Sequence, residues 1–122
     1  MNSETLLLRQ IHPSFVQNGK ATSQAFRPTP KDEYQLSVYN ADRMTAQASW
    51  NYYTGTQKFE SVGVMAISNS ECSKEKLSVI EDGIPIPEHC YVDFSGLSES
   101  DIKKKSKKLA AFAMERGWLF QT

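Results

Sequence analysis

Residues 6–39, LLLRQIHPSFVQNGKATSQAFRPTPKDEYQLSVY, contain two predicted strands that are separated by a long connection without a clear period. The apolar run that ends at Ile11 predicts a short buried strand, and the alternation from Tyr34 to Tyr39 predicts a second strand. In the second strand, Ser37 and Tyr39 share one face and alternate with apolar residues on the other face. A compact domain rarely keeps so long a connection without a function, so this connection predicts a binding loop.

The connection and its flanking strands supply polar side chains that we expect to converge on one concave surface. Phe26 is expected to fix the loop to the core, and Arg9 and Ser37 belong to the two flanking strands. Each polar residue alone is also typical of a local turn bond, a strand end or a solvated side chain. The prediction of a site therefore depends on the cluster. The predicted binding residues are Arg9, His12, Ser23, Phe26, Arg27, Ser37 and Tyr39.

The remainder of the chain contains two helical patterns and three extended patterns. A threonine N-cap begins a short helix over residues 45–53, and a serine N-cap begins a longer helix over residues 98–116, before Gly117. The extended patterns cover residues 61–68, 77–81 and 88–94. This order predicts a single α+β domain over residues 1–122. We expect a small mixed or antiparallel sheet of about five strands, a short central helix and a longer C-terminal helix.

Composition and charge exclude several classes of protein. An apolar fraction of 39% is enough for one core and argues against a disordered chain. The formal net charge is zero, so no overall field attracts the chain to nucleic acid or to a membrane. The N-terminal sequence MNSETLLLRQ lacks the pattern of a signal peptide, and no stretch reaches the length of a membrane span. We therefore expect a cytoplasmic protein without a membrane partner.

Motifs for metal, nucleotide and hydrolytic chemistry are absent from the sequence. Cys72 and Cys90 match no metal or redox spacing, and the two histidines have no companion at metal-ligand spacing, so no metal site is predicted. Reduced thiols are expected, although it stays open whether the two cysteines are ever bonded. The chain has no P-loop, no Rossmann glycine pattern and no Gly-x-Ser-x-Gly elbow. A Ser/His/Asp hydrolase is therefore possible only if the fold brings together residues that share no sequence motif.

Two features of the C-terminal part suggest interactions. The lysine run IKKKSKKLAAF predicts either phosphate contacts or a solvated helix face, and the absence of arginine and aromatic partners favours the solvated face. The segment Trp118-Leu119-Phe120 is too apolar to stay in solvent. It is expected either to pack on the sheet or to form a partner interface through Trp118, Leu119 and Phe120.

A pattern in the first third of the chain resembles a family of small uncharacterised bacterial proteins. It consists of Arg9-x-Ile11-His12-Pro13, Gly19, Ser23-x-Ala25-Phe26-Arg27-Pro28 and Leu36-Ser37-Val38. The resemblance implies a small intracellular binding or interaction module of bacterial type with a protein partner. It also suggests an accessory component of a defence or toxin–antitoxin system.

More distantly, the chain is similar to small members of the ADP-ribosyltransferase-like fold. In that fold an Arg or His on the first strand, a Ser or Tyr on the second and a later Glu surround a nicotinamide-dinucleotide cleft. The resemblance implies that Arg9 or His12 holds the phosphates or ribose of NAD or ADP-ribose. It also implies that Ser37 orients the nicotinamide ribose and that Glu88 stabilises an oxocarbenium-like transition state.

These observations leave three hypotheses about function. A binding module without cofactor is favoured over an enzyme, and its protein partner and oligomeric state stay open. The second hypothesis is an NAD- or ADP-ribose-handling enzyme or pseudo-enzyme, for which the candidate catalytic residues are Arg9, His12, Ser37 and Glu88. The third is nucleic-acid binding through the lysine-rich helix, whose affinity would fall steeply with salt.

Overall fold

A computed structural model describes residues 1–122 and has the predicted α+β architecture, with a six-stranded antiparallel sheet in the order β6-β7-β4-β1-β5-β8. The strands are β1 (Leu6–Ile11), β2 (Val16–Gln17), β3 (Lys20–Ala21), β4 (Gln35–Asn40), β5 (Gly63–Ser68), β6 (Ser78–Ile80), β7 (His89–Asp93) and β8 (Phe120–Gln121). The helices are α1 (Ala46–Asn51), α2 (Asn69–Lys74) and α3 (Glu99–Arg116). Strands β2 and β3 form a separate hairpin.

The long connection between β1 and β4 is built from short turns. It contains the β2-β3 hairpin and the 3₁₀ turns Pro13–Phe15, Ser23–Phe26 and Pro30–Asp32. In the second of these turns, the Phe26 side chain is completely buried. The prediction that Phe26 fixes the loop to the core is therefore confirmed.

The sheet is covered on both faces. Helix α3 and the Ser23–Phe26 turn contribute to the larger core on one face, which we call the α3 face. On the opposite face, the α1 face, Trp50 packs against a smaller cluster. The members of that cluster are Leu8, Tyr39, Val64 and Ala66. Both faces are apolar at the centre of the sheet.

Helix boundaries follow the predicted capping residues. The Thr45 side chain accepts a hydrogen bond from the backbone N–H of Ala48 at 3.1 Å and begins α1. Helix α1 then continues into a π-helical turn over Tyr52–Thr56. Ser98 caps α3 in the same way, and Gly117 ends that helix with a φ of 87°. This left-handed backbone conformation explains why glycine follows the last helical residue.

Strand β5 and the C-terminal segment pair at one edge of the sheet. All six residues of β5 are buried, and β5 lies between β1 and the edge strand β8. Phe120 pairs with Val64, and a Cβ atom on Gly63 would lie only 2.6 Å from the Phe120 carbonyl oxygen. The apolar C-terminal segment therefore packs on the sheet. Within it, Leu119 keeps 41% of its surface exposed.

Glu71 joins α2 to the end of α3. Its two carboxylate oxygens accept hydrogen bonds from Arg116 at 3.1 and 3.0 Å, and one oxygen also accepts the backbone N–H of Ser68 at 2.7 Å. Burial alone would raise the pKa of Glu71, but the hydrogen bonds and the charge of Arg116 outweigh it and hold this pKa below its usual range.

We expect Glu71→Gln to lower the free energy of unfolding at neutral pH by about 1–3 kcal/mol, because it removes charge-assisted bonds. The folded pKa lies below the unfolded value of about 4.3, so this stabilisation is complete above about pH 4.3 and is lost as the pH falls through the folded pKa. Urea unfolding at several pH values from neutral to about pH 3 measures the difference in free energy of unfolding between the wild-type protein and Glu71→Gln, which should become smaller as the pH falls. Glu60→Gln, at an exposed position without side-chain hydrogen bonds, is the control. Equal pH dependence in both variants would contradict the assignment.

Candidate functional site

Strands β4 and β7 bring Ser37 close to His89. The register pairs Ser37 with Tyr91 and Tyr39 with His89, so Ser37 and His89 are diagonal neighbours on the α1 face. The hydroxyl oxygen of Ser37 lies 2.5 Å from Nε2 of His89. This pair joins a potential nucleophile to a potential base within one sheet.

The loop between β6 and β7 adds a carboxylate to the other side of the same imidazole. The backbone N–H of Gly83 donates to the His89 carbonyl at 3.1 Å and folds the loop back over β7. As a result, Oδ1 of Asp82 lies 2.7 Å from Nδ1 of His89. We call the hydrogen-bonded set Asp82, His89 and Ser37 the relay.

The relay has a defined direction. An ionised carboxylate only accepts hydrogen bonds, so Asp82 is satisfied when Nδ1 of His89 carries the proton. Nε2 is then free to accept the hydroxyl proton of Ser37. His89 is 8% exposed, whereas Ser37 is exposed. The imidazole in the middle of the relay is therefore shielded from water, whereas the Asp82 carboxylate is partly exposed and a ligand can reach the Ser37 hydroxyl.

The relay opens into a cleft of about 560 Å³, a volume within the range of small-molecule sites. The cleft is lined by both polar and apolar side chains. Its polar lining residues are Arg9, Asp32, Gln35, Ser37, Tyr39, Tyr53, Gln57, Asp82, His89 and Tyr91. Its apolar lining residues include Phe59 and Ile84, which are 54% and 70% exposed.

Arg9 occupies an opening between two strands. Pairing between β1 and β4 stops at Leu8 and Tyr39. Beyond this point, Nε of Arg9 donates to the Ala25 carbonyl at 2.7 Å, and Nη1 donates to the Ser37 carbonyl at 3.0 Å. The third nitrogen, Nη2, makes no hydrogen bond within the protein.

The charge of Arg9 is not paired. None of the three ion pairs in the structure includes Arg9. Burial lowers the pKa of the Arg9 guanidinium, and the nearby Tyr53 and Asp32 act in the opposite direction. An arginine stays protonated in proteins, so the cleft contains a positive charge without a bonded carboxylate.

Two tyrosines keep neutral hydroxyl groups in the cleft. Burial raises the pKa of Tyr39 and of Tyr53, so both groups stay protonated at neutral pH. The Tyr39 hydroxyl donates to Oε1 of Gln57 at 3.1 Å. The Tyr39 ring also packs edge-on against the His89 ring, with centroids 5.5 Å apart. Tyr39 thus helps to fix the orientation of the imidazole.

The cysteines contribute no nucleophile to the cleft. Both are buried and unbonded, and neither lines the cleft. Burial raises the pKa of the Cys72 thiol to about 12 and that of Cys90 to about 11. Thiols with such pKa values are not ionised at neutral pH and react slowly. No group of three or more His, Cys, Asp or Glu side chains is arranged to hold a metal ion.

Three of the predicted site residues, Arg9, Ser37 and Tyr39, line the cleft together. The predicted His12 lies elsewhere, because its Nδ1 accepts the backbone N–H of Ser14 at 3.0 Å and begins a 3₁₀ turn.

The other predicted residues also lie outside the cleft. Ser23 and Phe26 belong to a turn on the α3 face, where Phe26 is core. Arg27 pairs with Glu99 at 3.4 Å beside a separate shallow cavity of about 320 Å³. Glu88 directly precedes β7 and does not line the cleft. The residues of the predicted cluster that belong to β1 and β4 therefore line the cleft, and those of the connecting loop do not.

Sequence reasoning missed Asp82 and His89. The alternation of β4 correctly predicted that Ser37 and Tyr39 share a face, and in the structure His89 and Tyr91 of β7 lie on the same face as them. The missing information was that β4 and β7 are neighbours in the sheet. Asp82 directly follows the extended pattern over residues 77–81, and nothing in the neighbouring sequence indicates that its carboxylate contacts a histidine.

The lysine run lies away from the cleft. Lys103, Lys104, Lys107 and Lys108 are exposed on α3, which covers the opposite face of the sheet. The ammonium group of Lys105 instead donates to the backbone carbonyl of Glu75. None of these lysines lines the cleft, so phosphate contacts on α3 and chemistry at Ser37 would be independent functions.

Comparisons with protein-family models, curated proteins and solved structures found no match to this chain. None of its helices has the length and apolar character needed to cross a bilayer. The chemistry of the cleft is therefore the basis for inferring a function.

Proposed function

We propose that this chain is a serine hydrolase that acts on small esters, with Ser37 as nucleophile, His89 as general base and Asp82 as the group that orients His89. The observation that supports this proposal is the hydrogen-bonded order Asp82–His89–Ser37, with distances of 2.7 and 2.5 Å, ending at an exposed hydroxyl in the cleft. A serine hydroxyl is a weak nucleophile until an adjacent base accepts its proton.

The proposed reaction has two steps. The Ser37 oxygen attacks the ester carbonyl while its proton moves to Nε2 of His89. The tetrahedral intermediate then releases the alcohol, which takes that proton from His89, and leaves an acyl group on Ser37. In the second step, water attacks the acyl group through the same base, the acid is released, and Ser37 regains its proton.

The backbone beside Ser37 offers a donor for the developing oxyanion. The N–H of Asn40 donates to the Glu88 carbonyl at 2.9 Å, and the N–H of Phe94 donates to the Tyr34 carbonyl at 3.0 Å, at the two ends of the β4–β7 pairing. Because hydrogen-bonding directions alternate along an antiparallel strand, the N–H of Ser37 points toward β1, where pairing has stopped. In the proposed reaction this N–H group, which faces the opening that also holds the Arg9 side chain, donates to the negatively charged oxygen on the carbon that Ser37 attacks.

We expect Asp82→Asn to lower kcat for p-nitrophenyl acetate by roughly 10²–10⁴-fold, because the amide no longer fixes the tautomer and orientation of His89. Release of p-nitrophenol measures the rate. A fluorophosphonate probe followed by mass spectrometry measures covalent phosphonylation of Ser37. Asp93→Asn is the matched control, since Asp93 lies on the same strand as His89 but does not line the cleft.

Two results would count against the hydrolase. One is an equal rate for Asp82→Asn and Asp93→Asn. The other is a wild-type protein that neither turns over the ester nor forms an adduct at Ser37.

Ligand binding without turnover is the second candidate and corresponds to the binding module expected from the sequence. The exposed apolar side chains of Phe59 and Ile84 at the cleft support it, because such groups gain when a ligand covers them. NAD and ADP-ribose belong among the ligands to test, since Arg9 and Ser37 share the cleft although Glu88 does not line it. A saturable rise in melting temperature with no Ser37 adduct would favour binding alone.

A further inference from the structure

The guanidinium of Arg9 is the only cationic side chain that lines the cleft when His89 is neutral. Two of its nitrogens are held by backbone carbonyls, and Nη2 has no partner within the protein. A half-buried charge without a counter-ion is unfavourable unless a ligand supplies the opposite charge. The position of Arg9 therefore points to an anionic group on the ligand.

The two acidic residues of the cleft do not fill this role. Asp32 is exposed, and its carboxylate accepts the hydroxyl of Thr29 at 2.8 Å. Asp82 is bonded to His89 in the relay. Neither carboxylate lies within the 4.0 Å limit of an ion pair with Arg9. The free nitrogen of Arg9 remains available to a ligand.

The distance from Arg9 to the nucleophile limits the ligand. Nη1 lies 3.0 Å from the carbonyl of Ser37, the residue that also carries the attacking oxygen. Covalent geometry and hydrogen-bond lengths then put an anion on Nη2 within roughly 10 Å of that oxygen. This span fits an acyl chain of roughly two to five carbon atoms between the reacting carbonyl and the anion.

The orientation of the substrate follows from the proton transfer. His89 must give its proton to the leaving alcohol, so the alcohol part lies on the His89 side, where Ile84 and Pro85 line the cleft. The acyl part then lies on the Arg9 side. An apolar alcohol suits Ile84, and a charged acyl end suits the guanidinium.

We infer that Arg9 binds a carboxylate at the far end of the acyl chain, so that the preferred substrates are half-esters of short dicarboxylic acids. This inference rests on the proposed hydrolase function. It assigns to Arg9 the selection of the substrate, through a charge-assisted hydrogen bond that a neutral acyl chain cannot make.

Two esters with equal acyl length test the inference: mono-p-nitrophenyl succinate and p-nitrophenyl butyrate. We expect the wild-type protein to show a kcat/KM about 10–100-fold higher for the succinate, mainly through a lower KM, as one hydrogen bond to a charged group predicts. Arg9→Gln should remove the preference, so that kcat/KM becomes similar for the two esters whatever the absolute rate of the variant. Arg9→Lys, which keeps the charge, should retain part of it.

Each other result has a distinct meaning. Equal wild-type kcat/KM values for the two esters would overturn the inference and leave the hydrolase standing, and this comparison needs no variant to fold. Equal losses on both esters in Arg9→Gln would make Arg9 an oxyanion stabiliser and would also overturn it. If neither ester is hydrolysed, the hydrolase proposal fails. In that case the melting temperature tests the anion subsite at Arg9. We expect monoethyl succinate to raise the melting temperature and ethyl butyrate to leave it unchanged. An equal effect of the two compounds would overturn the anion subsite.

Discussion

Ser37→Ala is expected to lower ester hydrolysis by at least about 10³-fold and to abolish labelling by a fluorophosphonate probe. The reason is that His89 and Asp82 act only through the hydroxyl oxygen that the substitution removes. Residual turnover would come from binding and from the donors around the cleft. The measurement is p-nitrophenol release together with intact-protein mass after labelling.

The fold should tolerate this change. Ser37 is exposed and its side chain makes one hydrogen bond, so the free energy of unfolding should fall by no more than about 1 kcal/mol. Ser78→Ala is the matched control, because Ser78 is an exposed strand residue without a side-chain hydrogen bond. Wild-type turnover in Ser37→Ala would remove Ser37 as the nucleophile.

Phe26→Ala is expected to lower the free energy of unfolding by about 3–5 kcal/mol, the range for deleting a buried aromatic ring. Phe26 is completely buried and belongs to the core that α3 shares with the sheet. Such a loss is a large part of the total stability of a typical domain. Urea unfolding, followed by fluorescence of the two tryptophans, measures the change.

Phe26 also neighbours a residue that holds Arg9 in place. Phe26 follows Ala25, whose carbonyl accepts the Nε–H of Arg9. A cavity at Phe26 should therefore also weaken the position of Arg9. Phe59→Ala is the control, since this ring is 54% exposed and should cost less than about 1 kcal/mol. Equal destabilisation by the two substitutions would contradict the assignment of Phe26 to the core.

Local sequence rules predicted the parts of this molecule that depend on neighbouring residues. The alternation in β4 correctly separated Leu36 and Val38, which belong to the core on the α3 face, from Ser37 and Tyr39 on the α1 face. Serine at the start of α3 and Gly117 after its end marked the helix within a residue. These features follow from the two-residue period of a strand and from the unpaired backbone groups at helix ends, both of which depend on residues close together in the sequence.

The relay could not be predicted because it depends on contacts between distant residues. Ser37 and His89 are separated by 52 positions, and they meet only because β7 pairs with β4. Arg9 reaches Ser37 only because the β1–β4 pairing stops early. Neither the order of strands in a sheet nor the point where a ladder opens is encoded in a local pattern. Arg9, Ser37 and Tyr39 belong to a larger predicted cluster, of which only these three line the cleft.

The edges of the main sheet have a consequence for solubility at high concentration. Strand β6 has three residues and β8 has two, so the outermost strands are the shortest in the sheet. A short edge presents few unpaired backbone groups to a second molecule and is a poor template for edge-to-edge aggregation. The four longer strands, which would be the better templates, each have a strand on both sides. Strand β8 pairs with only Gly63 and Val64 of β5, and beyond it the Ala66 carbonyl accepts a hydrogen bond from Arg116. This arrangement limits the backbone that is open to intermolecular β-structure.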